Sequence, residues 1–218
     1  RGLVDARLIL TDNTVSWEDG GLGKTRWGGD ASGDNRVVGR IAEASLIFLP
    51  KFSWDWSGVI HVKVDSQQHQ PVDVVEAFLR YKPVPKSDFR YEARIGAFFP
   101  PISLENTGIA WTSPYTITSS AINSWVGEEL KTLGAEFTVS REFEDFDLSV
   151  TGSAFMANDP AGTLLAWRGW ALHDRESGLF EQLPLAPIRT IESGGEIDRQ
   201  APWVEPFHQI DTRIGGYA

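Results

Sequence analysis

The chain has 218 residues, no cysteine and a formal net charge of −10 at pH 7. Without cysteine it forms no disulfide or thiolate metal site, and its acidic balance excludes a general nucleic-acid binder, which needs clustered Lys and Arg. Apolar residues make up 41% of the chain, but their longest run, near Leu46, is far shorter than the roughly twenty residues of a membrane-spanning helix. Membrane-spanning strands, which alternate apolar and polar residues, remain compatible with this composition.

Seven segments alternate apolar and polar residues, as strands with two different faces do. In chain order they are residues 3–11, 36–49, 52–65, 74–82, 89–99, 134–141 and 146–156. The clearest is 52–65, with Trp54, Trp56 and Ile60 on one face and His61 and Lys63 on the other. It exceeds the about nine to eleven residues with which a tilted strand crosses a bilayer. Short turn sequences between segments predict antiparallel neighbours. We therefore expect an all-β fold, an antiparallel meander of long strands with Trp54, Trp56 and Ile60 toward lipid.

Three long loops, about 12–35, 100–133 and 158–212, interrupt this pattern. The second contains one predicted short helix, Ser119 to Leu133, with Ser119 or Ser120 as its N-cap. Nothing resembles a flexible linker, so residues 1–218 are expected to form a single domain. Residues 213–218 read like the start of another strand, which predicts that this chain is the N-terminal portion of a larger barrel.

Charged side chains of both signs lie on the polar faces of the predicted strands. The candidate pore-lining residues are Arg7, Asp55, His61, Lys63, Glu76, Arg80, Lys82, Arg90, Glu92 and Arg94. On the wall of a pore, such rows of charge select ions. On a solvent-exposed face they form cross-strand ion pairs, each worth about 1 kcal/mol or less. The pattern alone leaves both interpretations open.

Motifs for catalysis or cofactor binding are weak. Residues 20–25 end in Gly-Lys-Thr, but the first glycine of a phosphate loop would fall at Glu18. The four histidines are widely spaced and show no metal-ligand pattern. Glu105 with Glu128 or Glu129 forms a carboxylate pair of the kind that a glycoside hydrolase uses, and this is the residual enzymatic interpretation. We predict no enzymatic activity, no cofactor and no metal.

Two segments resemble the phosphate-selective (O/P) type of outer-membrane porin. They are Glu76-Ala-Phe-Leu-Arg-Tyr81 and Arg94-Ile-Gly-Ala-Phe-Phe-Pro-Pro-Ile-Ser-Leu-Glu105. A Ser/Thr-rich stretch and an alternating segment, residues 148–158, follow in the order typical of that family. The resemblance covers roughly residues 36–158.

The resemblance implies a transmembrane β-barrel in the outer membrane of a Gram-negative bacterium. A porin-sized barrel needs about sixteen strands, so the barrel is partial in this chain. The resemblance also implies a homotrimer in contact with outer-membrane lipid, which passes small polar or charged solutes by diffusion. By position, the stretch after Pro101 is the expected constriction loop, with Glu105, Asn106, Tyr115 and Trp125 as its candidate residues.

Two alternatives remain open at this stage. One is a barrel whose lumen is closed by its long loops. The other is a secreted or periplasmic β-sandwich that binds or processes glycans, with loop tryptophans as stacking platforms. The tryptophans available for this role are Trp111, Trp125, Trp167 and Trp170.

Overall fold

One antiparallel meander dominates the computed structural model, which describes residues 1–29, 34–102, 105–116, 119–127, 130–172, 174–198, 200–205, 207 and 213–218. Its elements are β1 (Gly2–Thr11), β2 (Arg36–Phe48), β3 (Trp56–Val64), β4 (Val72–Tyr81), β5 (Phe89–Phe98), β6 (Thr132–Glu142), β7 (Asp147–Asn158), α1 (Ala161–Arg168), β8 (Leu183–Pro184), β9 (Trp203–Val204) and β10 (Gly215–Tyr217). Strands β1 to β7 pair in sequence order, β10 pairs with β7, and β8 pairs with β9. The prediction of an all-β antiparallel meander is confirmed.

The two ends of the large sheet differ in the length of their connections. One end carries the short turns 49–55, 82–88 and 143–146. The other carries the connections 65–71, 12–35, 99–131 and 159–214, of which the last three are long. Within the described residues, β1 and β10 form the two edges of an open sheet.

The strand predicted over residues 52–65 is shorter in the structure, where β3 begins at Trp56. The hydroxyl of Ser53 accepts hydrogen bonds from the backbone N–H groups of Asp55 and Trp56, at 3.2 and 3.1 Å. This side-chain turn bends the chain before the ladder starts. Asp55 therefore lies in a short turn, not on the polar face of a strand.

The prediction of a helix from Ser119 to Leu133 was wrong. The described part of this stretch contains one π-helical turn, Ile122–Val126, and β6 already begins at Thr132. Gly127 adopts extended backbone and ends the turn. The structure instead has an α-helix inside the loop predicted over 158–212, namely α1. Among the described residues, no helix combines the length and the apolar character needed to cross a membrane.

Burial in the large sheet is the reverse of that in a water-soluble sheet protein. One face is apolar and exposed: Leu8 is 73% and Val150 is 63% accessible. The opposite face is polar and buried along β2 to β4, where His61 and Lys63 are each only 1% accessible. A soluble sheet hides its apolar face, because burial of apolar surface drives folding.

The polar face is buried because long-loop segments fold back over it. We call residues 14–29, 159–172 and 174–187 the cover. The backbone N–H of Leu179 donates to the carbonyl of Val74 at 2.8 Å, and that of Phe180 donates to the Asp73 carboxylate at 3.0 Å. The cover has its own small apolar core, which comprises Trp17, Leu164, Leu172, Leu183 and Leu185 with Trp167 and Val204 packed against it.

Candidate functional site

A layer of buried ionisable groups lies between the polar face of the sheet and the cover. Its carboxylates are Glu18, Glu43, Asp65, Asp73, Asp159, Glu176 and Glu181, its cations are Arg26, Lys63, Lys131 and Arg175, and it also contains His61. We call these twelve residues the charge layer. Burial of this many charges requires that they neutralise one another and form hydrogen bonds.

Two arginines of the cover pair with carboxylates in this layer. Arg26 forms an ion pair with Asp65, and its Nη2 also donates to the carbonyl of Ala42 at 3.1 Å. Arg175 donates to the Asp159 carboxylate at 3.2 Å and to the Ser177 hydroxyl at 3.0 Å. Removal of one partner from such a pair leaves an uncompensated buried charge. The Arg26 contacts therefore hold the cover on the sheet, whereas the Arg175 contacts join two segments of the cover to each other.

Burial changes the ionisation of groups in the layer. It raises the pKa of Glu176 well above the usual value, and the neighbouring Glu43 carboxylate adds to that effect. Burial also raises the pKa of Glu181. For Lys131, whose Nζ donates to the Ser177 carbonyl, burial lowers the pKa to about 8, although Asp159 acts in the opposite direction. Part of the layer is therefore held in its neutral form.

The centre of the layer is a hydrogen-bonded chain across β2 and β3. The Ser45 hydroxyl donates to the Glu43 carboxylate, and Ser45 Oγ lies 2.9 Å from His61 Nε2. On the other side of the ring, His61 Nδ1 lies 3.6 Å from Oε1 of Glu176 in the cover. Glu43 and Ser45 on β2 can meet His61 on β3 because strand alternation places all three side chains on the polar face of the sheet.

A cavity of about 720 Å³ adjoins the charge layer. It lies between β1, residues 106–116 and 119–123, and the cover, and Glu43 and Glu176 form part of its wall. Arg7 of β1 also lines it and is held by Asp5 at 2.6 Å and Asp174 at 2.5 Å. The walls thus present charges of both signs, with Ser, Thr and Asn side chains between them.

No protein-family model, curated protein or solved structure matches the chain.

The predicted pore-lining residues fall into two groups. His61, Lys63 and Arg7 belong to the covered part of the sheet, and Glu76 accepts a hydrogen bond from the Phe99 N–H at 3.1 Å. Apart from Asp55, the remaining predicted residues form ion pairs on or next to β4 to β6; Lys82, predicted on the polar face of a strand, lies instead in the turn 82–88 directly after β4. These pairs are Arg80 with Glu92 at 2.6 Å, Lys82 with Glu92 at 3.3 Å, Arg94 with Glu136 at 2.7 Å, and Arg90 with Glu142.

The predicted constriction-loop residues do not act as one set. Asn106 lines the cavity, whereas Glu105 accepts a hydrogen bond from the Ser120 N–H. Tyr115 is 82% accessible and Trp125 lies under the Lys24 ammonium, 4.7 Å from its ring centre. Of the stacking tryptophans considered above, Trp111 lines the cavity. Residues 128 and 129, part of the glycosidase interpretation, lie outside the described residues.

The sequence interpretation missed most of the charge layer. Glu43 lies on a weakly alternating strand, and its polar-face position was the only available signal. Arg26, Arg175 and Glu176 come from non-periodic loops, in which nothing in the local pattern shows that a charged side chain will be buried.

Proposed function

We propose that the chain forms part of the wall of an outer-membrane β-barrel channel of porin type, with the polar face of the sheet toward the lumen. The observation that carries this proposal is the reversed burial of the sheet. An exposed apolar face of this extent is unfavourable in water but is suited to contact with lipid chains. The charged face is then the surface along which small polar or charged solutes diffuse.

Two further features support a membrane orientation. Short turns at one end and long connections at the other are typical of outer-membrane barrels, whose short turns face the periplasm. Exposed aromatic side chains also gather at the short-turn end, as they do at a membrane interface. They are Phe48, Phe52, Trp54, Trp56, Phe89, Tyr91 and Phe146.

In this proposal the cover partly fills the lumen over β1 to β4. The ion pairs of Arg80, Lys82 and Arg90 line the open side, whereas the Arg94–Glu136 pair is largely buried. Ion pairs balance positive and negative charge along that side, so we expect a channel with weak preference between anions and cations. Closure of the barrel and assembly into trimers, in contact with outer-membrane lipid, belong to the same proposal.

Planar-bilayer recordings on the complete native protein test this function. We expect discrete conductance steps in symmetrical salt and stable recovery of the protein with lipid vesicles in a flotation gradient. Heat-denatured protein is the control. A protein that stays out of the vesicles, or that inserts without conductance, contradicts the channel proposal.

A second candidate function is the binding of glycans in the 720 Å³ cavity. The observation that favours it is the combination of Trp111 and Asn106 on the cavity wall, because aromatic faces and amide groups are common partners of sugar rings. Titration calorimetry with neutral oligosaccharides tests it: Trp111→Ala should abolish a measured binding signal, whereas Trp203→Ala, which lies in β9 away from the cavity, should not.

A further inference from the structure

Three side chains that can ligate a metal converge at the centre of the charge layer: Glu43 of β2, His61 of β3 and Glu176 of the cover. One ligand atom from each lies within 4.8 Å of the other two. The separation of 3.6 Å between His61 Nδ1 and Glu176 Oε1 is too long for a hydrogen bond. It is close to the about 3.4 Å between two ligand atoms that each lie about 2.1 Å from one tetrahedral ion.

The hydrogen bonds around His61 leave Nδ1 as the free acceptor of the ring. The Ser45 hydroxyl gives its hydrogen to Glu43, so Ser45 Oγ accepts from His61 Nε2–H at 2.9 Å. The Nδ1 lone pair then faces the carboxylate of Glu176. Two lone-pair atoms that oppose each other are unfavourable, and either a proton on Glu176, whose pKa burial raises, or a cation between the two atoms relieves this opposition. A hydrogen bond on the far ring nitrogen is also the arrangement that orients ligating histidines in metal sites.

Glu176 Oε1 provides an independent indication. This oxygen is buried and has no hydrogen-bond partner in the structure. A buried acceptor without a partner is unfavourable, and more so when it is charged. A cation bound between Glu176 and His61 satisfies it. Glu43 and Glu176 also line the cavity, so an ion has a route to the site, while the buried His61 ring closes its far side.

With every carboxylate ionised, the formal charge of the layer is negative enough to neutralise a divalent cation, which would replace the proton held by Glu176. Seven carboxylates face four cations in the charge layer. Among the cations of the layer, Lys63 interacts electrostatically with Glu43, Glu176 and Glu181. A metal ion competes with Lys63 for Glu43 and Glu176, but Glu181 remains available to the lysine.

We propose that Glu43, His61 and Glu176 bind a divalent transition-metal ion of the Zn²⁺ type, whose remaining coordination position is open to the cavity. One nitrogen and two carboxylate oxygens are ligands that Zn²⁺ accepts, and three protein ligands leave a position open. The ion joins two strands of the sheet to the cover. This site does not depend on whether the sheet lies in a membrane.

Calorimetric titration of the chelator-treated, folded protein with Zn²⁺ tests the proposal. We expect one equivalent to bind, and His61→Gln and Glu176→Gln each to weaken binding more than Ser45→Ala, which removes only the partner of the ring and should cost about tenfold. The matched control is Glu136→Gln, a buried carboxylate on β6 that pairs with Arg94 outside the charge layer, for which we expect less than about a threefold change. Absence of Zn²⁺ binding, or binding that His61→Gln and Glu176→Gln leave unchanged, overturns the site.

A measurement on the unaltered protein guards against variants that fail to fold. X-ray absorption at the zinc edge should show one imidazole nitrogen with oxygen ligands. A shell containing several imidazoles would show that other histidines bind the ion, and it would overturn the proposal. Zn²⁺ should also slow proteolysis of the cover in the native chain.

Discussion

At the scale of single residues, the unusual feature is the burial of lysine under loops. Lys131 precedes β6 and has no accessible surface, yet its Nζ donates to the Ser177 carbonyl of the cover. The long aliphatic stem of lysine tolerates burial, but its ammonium does not unless it finds partners. Lys131 therefore stabilises the docking of the cover at the expense of its own ionisation.

The first prediction concerns the pH dependence of stability. Burial lowers the pKa of Lys131 from 10.5 to about 8, so between these values the unfolded chain holds a proton that the folded chain has released. The free energy of unfolding should therefore rise from pH 8 to pH 10.5, by on the order of 3 kcal/mol from this residue. Lys131→Met should remove that rise. Denaturant titrations at several pH values measure it.

Lys86→Met, at an exposed position in the turn 82–88, is the control and should keep the slope of the native protein. An identical slope in Lys131→Met and the native protein would contradict the assignment of this rise to Lys131.

At the scale of elements, the close pairing of β5 with β4 depends on one glycine of β5. Gly96 has φ +135°, and a Cβ built there would lie 2.2 Å from the carbonyl oxygen of Ala77 on β4. Glycine thus allows β4 and β5 to approach closely at this point, where a side chain would force them apart.

The second prediction is that Gly96→Ala destabilises the sheet. Strain at this backbone angle costs on the order of 1–3 kcal/mol, and the contact with β4 adds to it. The comparison is Gly152→Ala on β7, where a Cβ would meet nothing within 4 Å. This substitution should leave the free energy of unfolding unchanged or raise it slightly. Urea unfolding of both variants measures the difference, and equal midpoints would contradict the close approach at Gly96.

The third prediction concerns the attachment of the cover to β4. Asp73 accepts the Phe180 N–H at 3.0 Å and is only 3% accessible. Asp73→Ala leaves that N–H without its charged acceptor, a loss of about 1.5 kcal/mol or more, equivalent to about a tenfold rise in local opening. Limited proteolysis should then cut within the cover about tenfold faster.

Asp88→Ala, in the exposed turn 82–88, should leave the cleavage rate unchanged. If Asp73→Ala is cut no faster than this control, Asp73 does not anchor the cover.

The strands were predictable from the sequence, whereas the position of the cover on the sheet was not. Alternation reports the two faces of β1 to β7 directly. The helix α1 lacks a side-chain N-cap hydrogen bond and begins after Pro160, so its start signal was weak. The candidate metal site joins Glu43 and Glu176, which lie far apart in the chain. Only tertiary folding of the cover brings them together, and no local period encodes such a contact.

At the scale of the whole molecule, the reversed sheet determines the environment in which the chain is stable. A continuous exposed apolar face over several strands is the kind of surface that contacts lipid or another protein. The fourth prediction tests this with Ile95→Arg, at a position 60% exposed on that face. In a membrane the change should cost about 2–4 kcal/mol near the bilayer midplane. Folding into lipid vesicles under urea titration measures it.

The matched control is Val84→Arg, at a position 63% exposed in the turn 82–88, where we expect a cost of about 0–1 kcal/mol. Equal stability of the two arginine variants in vesicles would argue that the apolar face does not contact lipid.

The separate apolar core of the cover has a consequence for the order in which the molecule opens. Trp17, Leu164 and Leu185 pack with each other rather than with the sheet, and the contacts between cover and sheet described above are polar. We therefore expect the cover to behave as one cooperative unit that separates from the sheet in a single step. Amide hydrogens of α1 and β8 should exchange with solvent together, through one sub-global opening, while those of β2 to β6 remain protected.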